Sequence, residues 1–253
     1  MSINLDKIKE RLNKFQTNNS KSDVKIGDYL WKVPMGKSQI RIVPYKYNSE
    51  SPFMELYFYY DLNKMHYLSP KSYGEEDPIA DFMSKLRVSG ERIDKALYKK
   101  LMPSLRIFVP VVVRGEEDKG VKFWSFGKNT YIDIMNIISD PDYGDITDIE
   151  NGRDLIVDRT STTNSRLNDK TTIRPKPNKS VLSKDKLEIF LSEQKNIFEI
   201  FKKWSYEELQ LALEKYIEYQ ENNSLENVES VSSNKLGINE KVDKVNKKFE
   251  DVF

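Results

Sequence analysis

Six short runs rich in β-branched and aromatic residues set the strongest limit on what this chain can fold into: SQIRIVPY, PFMELYFYYD, LRIFVPVVVRG, VKFWSFG, DLIVDRT and KTTIRP. Each is bounded by proline, glycine or charged turn residues, and each has the length of a strand rather than a helix. Pro44 and Pro110 are expected near strand ends or on edges, because proline cannot donate to a ladder. Between the second and third runs, DPIADFMSKL and GERIDKALYKKL carry helical spacing, with Ile79, Phe82, Met83 and Leu86 as the packing stripe. NTYIDIMNIIS forms a further helix, with Ile132, Met135 and Ile138 on one face and Asn129 or Thr130 as its cap. About five strands with a helical insertion and one helix between strands predict a mainly β fold with helices (α+β). Its core is expected to be a Greek-key barrel of the OB type, in preference to a sandwich or a parallel sheet.

The flanks read differently. Leu5, Ile8, Leu12 and Phe15 recur at helical spacing among Lys7, Lys9, Arg11 and Lys14, a short basic amphipathic helix followed by the linker TNNSKSD. Beyond RPKPNKSVL, KLEIFLSEQKNIFEIFKKW and SYEELQLALEKYIEY predict a helical hairpin, with Ser205 and Glu208 forming a capping box for its second helix. NNSLENVESVSSNKLGIN is then a flexible linker, and the tail ends in Phe249, Val252 and Phe253. The expected divisions are 1–22, a core over 23–182 with its insertion at about 61–101, a hairpin over 183–221, and a linker with tail over 222–253.

Composition removes most chemistry. The chain has 253 residues, enough to bury a core, but no cysteine, which excludes disulfides, thiolate zinc sites and cysteine nucleophiles. His66 is the single imidazole, so the familiar nucleophile and base pairs have almost no members. No phosphate-cradling glycine loop is present. DPDYGDITDIE, from Asp140 to Glu150, tempts a metal reading but misses the EF-hand register, because Gly144 and Glu150 each fall one position early. Mean hydropathy is −0.66, no apolar run approaches a membrane span, and the first residues lack a signal peptide's apolar core, so a cytoplasmic protein outside the membrane is expected. The chain reads as a non-enzyme.

The net charge of +1 hides strong segregation. Net charges are +6 over 1–46, −5 over 47–84, +6 over 85–128, −7 over 129–158, +6 over 159–186 and −5 over 187–253. Three basic blocks can converge on one face and create a field that the overall balance conceals. In KFWSFGK, strand alternation places Lys122, Trp124, Phe126 and Lys128 together; Arg106 and Phe108 share a face in LRIFVP, and Tyr57 and Tyr59 in ELYFYYD. Arg41 points opposite to Ile40 and Ile42. Rings and cations on one face suit single-stranded nucleic acid, where rings stack on bases and cations follow phosphates. The competing reading makes the same rings core residues of a barrel.

VPVVVRGEEDKGVKFWSFGKNTYIDIMNII, continuing to DPDYGDITDIENGRDL, resembles the single-stranded DNA-binding (helix-destabilising) proteins of T-even-like bacteriophages, and IRIVPY and RPKPNKSVL agree with that family's first strand and barrel exit. The similarity spans about residues 25 to 220. It implies an OB-fold core that coats single-stranded DNA cooperatively in replication, recombination and repair, within the cytoplasm of an infected bacterial host. It also implies cooperativity through the basic N-terminal segment, with Lys7, Lys9, Arg11 and Lys14. The C-terminal tail, with Phe249, Val252 and Phe253, is implied to recruit replication and recombination proteins. By resemblance, Arg41 matches the family's basic residue in the first strand, Trp124 its aromatic before the FG pair, Lys128 its lysine after it, and Arg114 and Lys122 further basic positions. One departure stands out: relatives carry a zinc module with a C-x7-C-x-x-C cadence, whereas the matching positions here are Ser69, Asp77 and Ala80, so no zinc is expected. The remaining alternatives are a single-stranded RNA-binding module, a metal-dependent nuclease using Asp140 to Glu150, and a docking scaffold whose rings meet a protein.

Overall fold

The computed structural model describes residues 26–88, 95–161 and 169–229. The chain enters through α1 (Ile26–Tyr29) and β1 (Leu30–Trp31), then forms β2 (Gly36–Ile42), β3 (Met54–Leu62) and β4 (Met65–Leu68). A 3-10 turn at Pro70–Tyr73 leads to α2 (Pro78–Val88), α3 (Lys95–Leu101) and β5 (Ser104–Val113). β6 (Lys122–Phe126), α4 (Lys128–Ser139), β7 (Arg153–Ser161) and β8 (Asp169–Lys179) follow, and α5 (Lys184–Glu193), α6 (Ile197–Ile200) and α7 (Tyr206–Glu229) end the described chain. The result is a mixed α+β protein built on one large sheet.

All six strand-like runs form strands. They are joined by β1 and β4, which are too short for periodicity to reveal. The order is β1-β6-β5-β2-β7-β8, with β3 along β5 and β4 along β3. The parallel pair β1–β6 sets Trp31 beside Trp124, while β2, β3, β5, β6, β7 and β8 pair antiparallel.

β5 explains why the fold needs its C-terminal segment. Residues Ile107 to Val112 are buried without interruption, so both faces of this strand are covered. On one face Ile107, Val109 and Val111 pack with Ile40, Ile42, Trp124, Phe126, Leu155 and Val157, closed by Ile134 of α4 and by Ile146. On the other face Phe108 lies with Leu56, Phe58 and Phe123 beneath Ile197 and Ile200 of α6, and Val112 lies with Val43, Leu182 and Phe190 of α5.

The insertion forms its own cluster. Ile79, Phe82 and Met83 of α2 and Leu101 of α3 meet Tyr59, Leu62 and Tyr67 on one side and Leu209, Leu213, Tyr216 and Ile217 of α7 on the other. The Leu86 side chain lies outside the described residues.

Three local expectations change. The expected hairpin is not what the C-terminal run makes, because its first leg breaks in two and the legs pack in different places. Gln194, 3 % exposed, donates to the Pro44 carbonyl (2.7 Å) and accepts from the Lys46 N–H (2.8 Å). Asn196 then caps α6 through the Phe198 N–H (3.1 Å), while the Ile197 N–H donates to the Tyr45 hydroxyl (2.8 Å). These bonds to the β2–β3 loop outweigh one more helical turn, so α5 and α6 cover the sheet while α7 packs on the insertion and runs to Glu229. The capping box does form: the Ser205 N–H donates to Glu208 (3.0 Å) and the Glu208 N–H to Ser205 Oγ (3.2 Å). The cap of α4 is Gly127, not Asn129 or Thr130. Pro110 sits inside β5 rather than at its end; β2 has already stopped at Ile42, and the Pro110 carbonyl still accepts the Val43 N–H (3.1 Å).

Candidate nucleic-acid interface

Five of the residues singled out for DNA contact are core. Trp124 is 2 % exposed, Phe126 5 % and Phe108 3 %. Trp124 is wedged between Trp31 (centroids 5.8 Å apart, 74°) and Phe126 (4.5 Å, 58°), which leaves neither of its faces to a base. Phe108 is covered by Phe58 and Phe201. Tyr59 is buried and donates to Asp77 Oδ2 (2.9 Å); burial, then the neighbouring carboxylate, push its pKa well above the ordinary value, so it stays a donor. Arg41 has no exposed surface and spends its guanidinium on the backbone carbonyls of Ile146 (2.5 Å), Arg153 (2.9 Å) and Asp148.

Two further cations are occupied. Arg114 makes a two-pronged pair with Asp154 (2.9 Å for both bonds) and donates to Ser180 (2.7 Å). Burial would raise the Asp154 pKa, but hydrogen bonds from Arg114, Gln39 and Ser180 outweigh it and hold the carboxyl below its ordinary value. Lys122 donates to the Asp28 carbonyl (2.6 Å). Tyr57 is half-buried with the Lys71 ammonium 4.8 Å from its ring centre.

Arg106 and Lys128 are different, and they come together with two residues that the alternation argument missed. Tyr60 stands on the same face of β3 as Phe58, its ring 5.9 Å away and inclined by 26°. His66 of β4 is exposed and meets Tyr60 edge-on at 5.0 Å. Arg106 Nε donates to the Tyr60 hydroxyl (3.3 Å), and its guanidinium reaches the place where a Cβ on Gly127 would lie, 3.7 Å away. Gly127 carries no side chain to cap α4, so the first-turn N–H groups of that helix keep their partial positive charge beside Arg106 and the exposed Lys128. Phe201 rests on Phe58 (5.1 Å) on this face, whereas Trp204 rests on Tyr67 (4.7 Å) in the insertion cluster, with the Lys202 ammonium, paired with Glu208 (3.0 Å), 3.5 Å over its ring. Half-exposed rings flanked by cations and helix N–H groups have the chemistry to meet a chain of bases and phosphates.

At the positions where the resemblance implies a zinc module, Ser69, Asp77 and Ala80 supply one carboxylate and no thiolate or imidazole, a set that does not fit the ion. Asp77 accepts from Ser69 Oγ, from Tyr59, and from the N–H groups of Ile79 (3.0 Å) and Ala80 (3.3 Å), so its oxygens are committed. Among the described residues no group of three His, Asp or Glu side chains is placed to hold a metal. The Asp140 to Glu150 loop uses its carboxylates internally: Asp140, Asp145 and Asp148 accept N–H groups two or three residues ahead.

A family model described as gp32 DNA binding protein like matches residues 35–218, and the chain belongs to this DNA-binding family. The resemblance to phage single-stranded DNA-binding proteins noted in the sequence is in line with that result. No curated protein matches the chain. No helix among the described residues is long and apolar enough to cross a membrane.

Proposed function

We propose that this protein coats single-stranded DNA without sequence specificity during phage replication, recombination and repair, as a non-catalytic protein whose sheet is an OB-type barrel. Family membership supports DNA as the ligand. The observation that carries the site is the Arg106–Tyr60 pair beside the uncapped start of α4, with Lys128 and His66 at its edges. Rings there stack on bases while Arg106, Lys128 and the helix N–H groups meet phosphates. The basic segment with Lys7, Lys9, Arg11 and Lys14, and the tail with Phe249, Val252 and Phe253, lie outside the described residues. In this reading they serve cooperative contacts and recruitment of replication proteins, respectively.

Tyr60→Ala is expected to weaken binding to oligo(dT) by about 1 to 3 kcal/mol, the usual worth of one stacking ring, without loss of fold. Arg106→Ala should flatten the dependence of affinity on salt by about 0.7 in log–log slope per lost phosphate contact. Titrations of both variants at several salt concentrations, with a matched oligoribonucleotide as competitor, test this. Unchanged affinity in both would remove this face from the interface, and preference for the ribose strand would replace DNA by RNA.

The same reading makes the insertion independent of zinc. Asp77 ties Tyr59, Ser69 and the first turn of α2 together, while α7 buries the rest of the cluster. A strong chelator is expected to leave the melting temperature and DNA affinity unchanged. Asp77→Ala should cost about 3 kcal/mol in a urea titration, because several buried donors lose their acceptor. Stoichiometric zinc in the purified protein would overturn the zinc-free reading.

A further inference from the structure

A cavity of about 380 Å³ opens near the end of β5 away from Arg106, between β1, the start of β2 and the β5–β6 turn. Its walls include Trp31, Lys32, Lys37, Gln39, Arg114 and Glu116. Trp31 is half-buried, held edge-on by Trp124, and contributes a flat ring. Arg114 and Gln39 are bonded to Asp154, and Glu116 is paired with Lys119 (3.0 Å). Lys32 and Lys37 are exposed, and neither ammonium group has an ion pair within 4 Å among the described residues. The cavity therefore pairs an aromatic wall with two exposed ammonium groups, Lys37 standing opposite Asp158 in the β2–β7 register, a combination suited to a base and its phosphates.

The position matters as much as the chemistry. Arg114 follows β5 directly and continues the parity of Arg106, on the face that α5 and α6 cover in its middle, while Trp31 packs with Trp124 on the other face, so the cavity sits where the sheet's two faces meet at its edge. Eight residues of strand separate Arg106 and Arg114, about 27 Å at the usual rise. The basic segment with Lys7, Lys9, Arg11 and Lys14 carries the same sign as Lys32 and Lys37, which argues against it as the occupant.

Resting on the single-strand reading above, we propose that this cavity is a second contact for the same DNA strand: one base stacks on Trp31 and its flanking phosphates meet Lys32 and Lys37. Only a strand long enough to leave the Tyr60–Arg106 strip reaches it.

The test compares two lengths of oligo(dT), about four and about sixteen nucleotides, the span of site sizes seen for single OB domains. The Lys32→Ala, Lys37→Ala double variant is expected to bind the long strand about tenfold more weakly at low salt, with a salt slope flatter by about 1.4 for two lost phosphate contacts. It should bind the short strand as the parent does, whereas Arg106→Ala weakens both. A long oligonucleotide carrying 5-iododeoxyuridine should photocrosslink to Trp31. Equal effects of the double variant on both lengths, or none on either, with no adduct on Trp31, overturn the second contact while leaving the first in place. Failure of the parent to bind either oligonucleotide, or of Arg106→Ala to weaken binding, brings down the single-strand site itself.

Discussion

Trp124→Ala is expected to cost about 3 to 5 kcal/mol of folding stability, the range for removing a large aromatic from a packed core. The ring is 2 % exposed and sits in the cluster formed by Ile40, Val109 and Leu155, with Trp31 and Phe126 against it. Truncation leaves a void that the sheet cannot collapse to fill, because its neighbours are pinned in strand register, Trp124 opposite Val109 and Trp31 beside it. Since domains of this kind retain only about 5 to 15 kcal/mol in total, the variant stands near the edge of folding. Urea unfolding followed by circular dichroism measures the loss, and Trp124→Phe should recover most of it. Affinity for oligo(dT), corrected for the folded fraction, should not fall. A fully stable Trp124→Ala protein that no longer binds DNA would make this ring a stacking platform after all.

The strands were legible because each short run carried its own boundaries; the faces were not, because alternation gives parity and not the identity of the cover. KFWSFGK alternates rings with lysines, yet the strand stops at Phe126 and Lys128 already begins α4, so the two lysines never frame the two rings. Lys122 escapes burial by reaching the Asp28 carbonyl from beside the core. In ELYFYYD both parities are aromatic. Tyr57 and Tyr59 do share a face, but Tyr59 is drawn in by Asp77, eighteen residues on, while Phe58 and Tyr60 take the face toward Arg106. Phe108 shares a face with Arg106 as the alternation requires, and only a distant segment, Phe201, decides that the ring is covered while the guanidinium near the strand's start is not. Such tertiary cover, supplied by α5, α6 and α7 from far along the chain, leaves no periodic mark. The uncapped N–H donors of α4 are likewise a property of Gly127 in its place, visible in sequence only as the G of FGK. The family resemblance was legible, and the chain's membership agrees with it; of the residues carried over by resemblance, Arg41 and Trp124 are buried in the core, Arg114 and Lys122 are tied to Asp154 and the Asp28 carbonyl, and Lys128 is exposed.

Arg41→Met is the other substitution with a large expected effect, about 3 to 5 kcal/mol, and again on folding rather than on DNA. Its stem lies in β2 opposite Val112, and its guanidinium closes the turn from Ile146 to Arg153 by donating to three carbonyls. Burial lowers the pKa of this group while the nearby Asp154, Asp148 and Asp145 raise it, so the acidic loop offsets part of the cost of the buried cation. Methionine keeps much of the volume but no donor, and the carbonyls of Ile146, Asp148 and Arg153 are left with unpaired acceptor capacity. Gly152 shows how closely the turn is drawn in: a Cβ there would collide with the Asp148 carbonyl and the Arg41 guanidinium, so Gly152→Ala should destabilise by the same route. The turn also anchors the exit from β8, since the Ser180 N–H donates to the Gly152 carbonyl (2.8 Å) and the Leu182 N–H to the Ile149 carbonyl (2.9 Å). Loss of Arg41 should therefore speed amide exchange at Gly152, Arg153, Ser180 and Leu182 before it affects β3 or α7. Affinity per folded molecule and the salt slope should match the parent. A stable Arg41→Met protein with a flatter salt slope would instead place this guanidinium on the phosphate track.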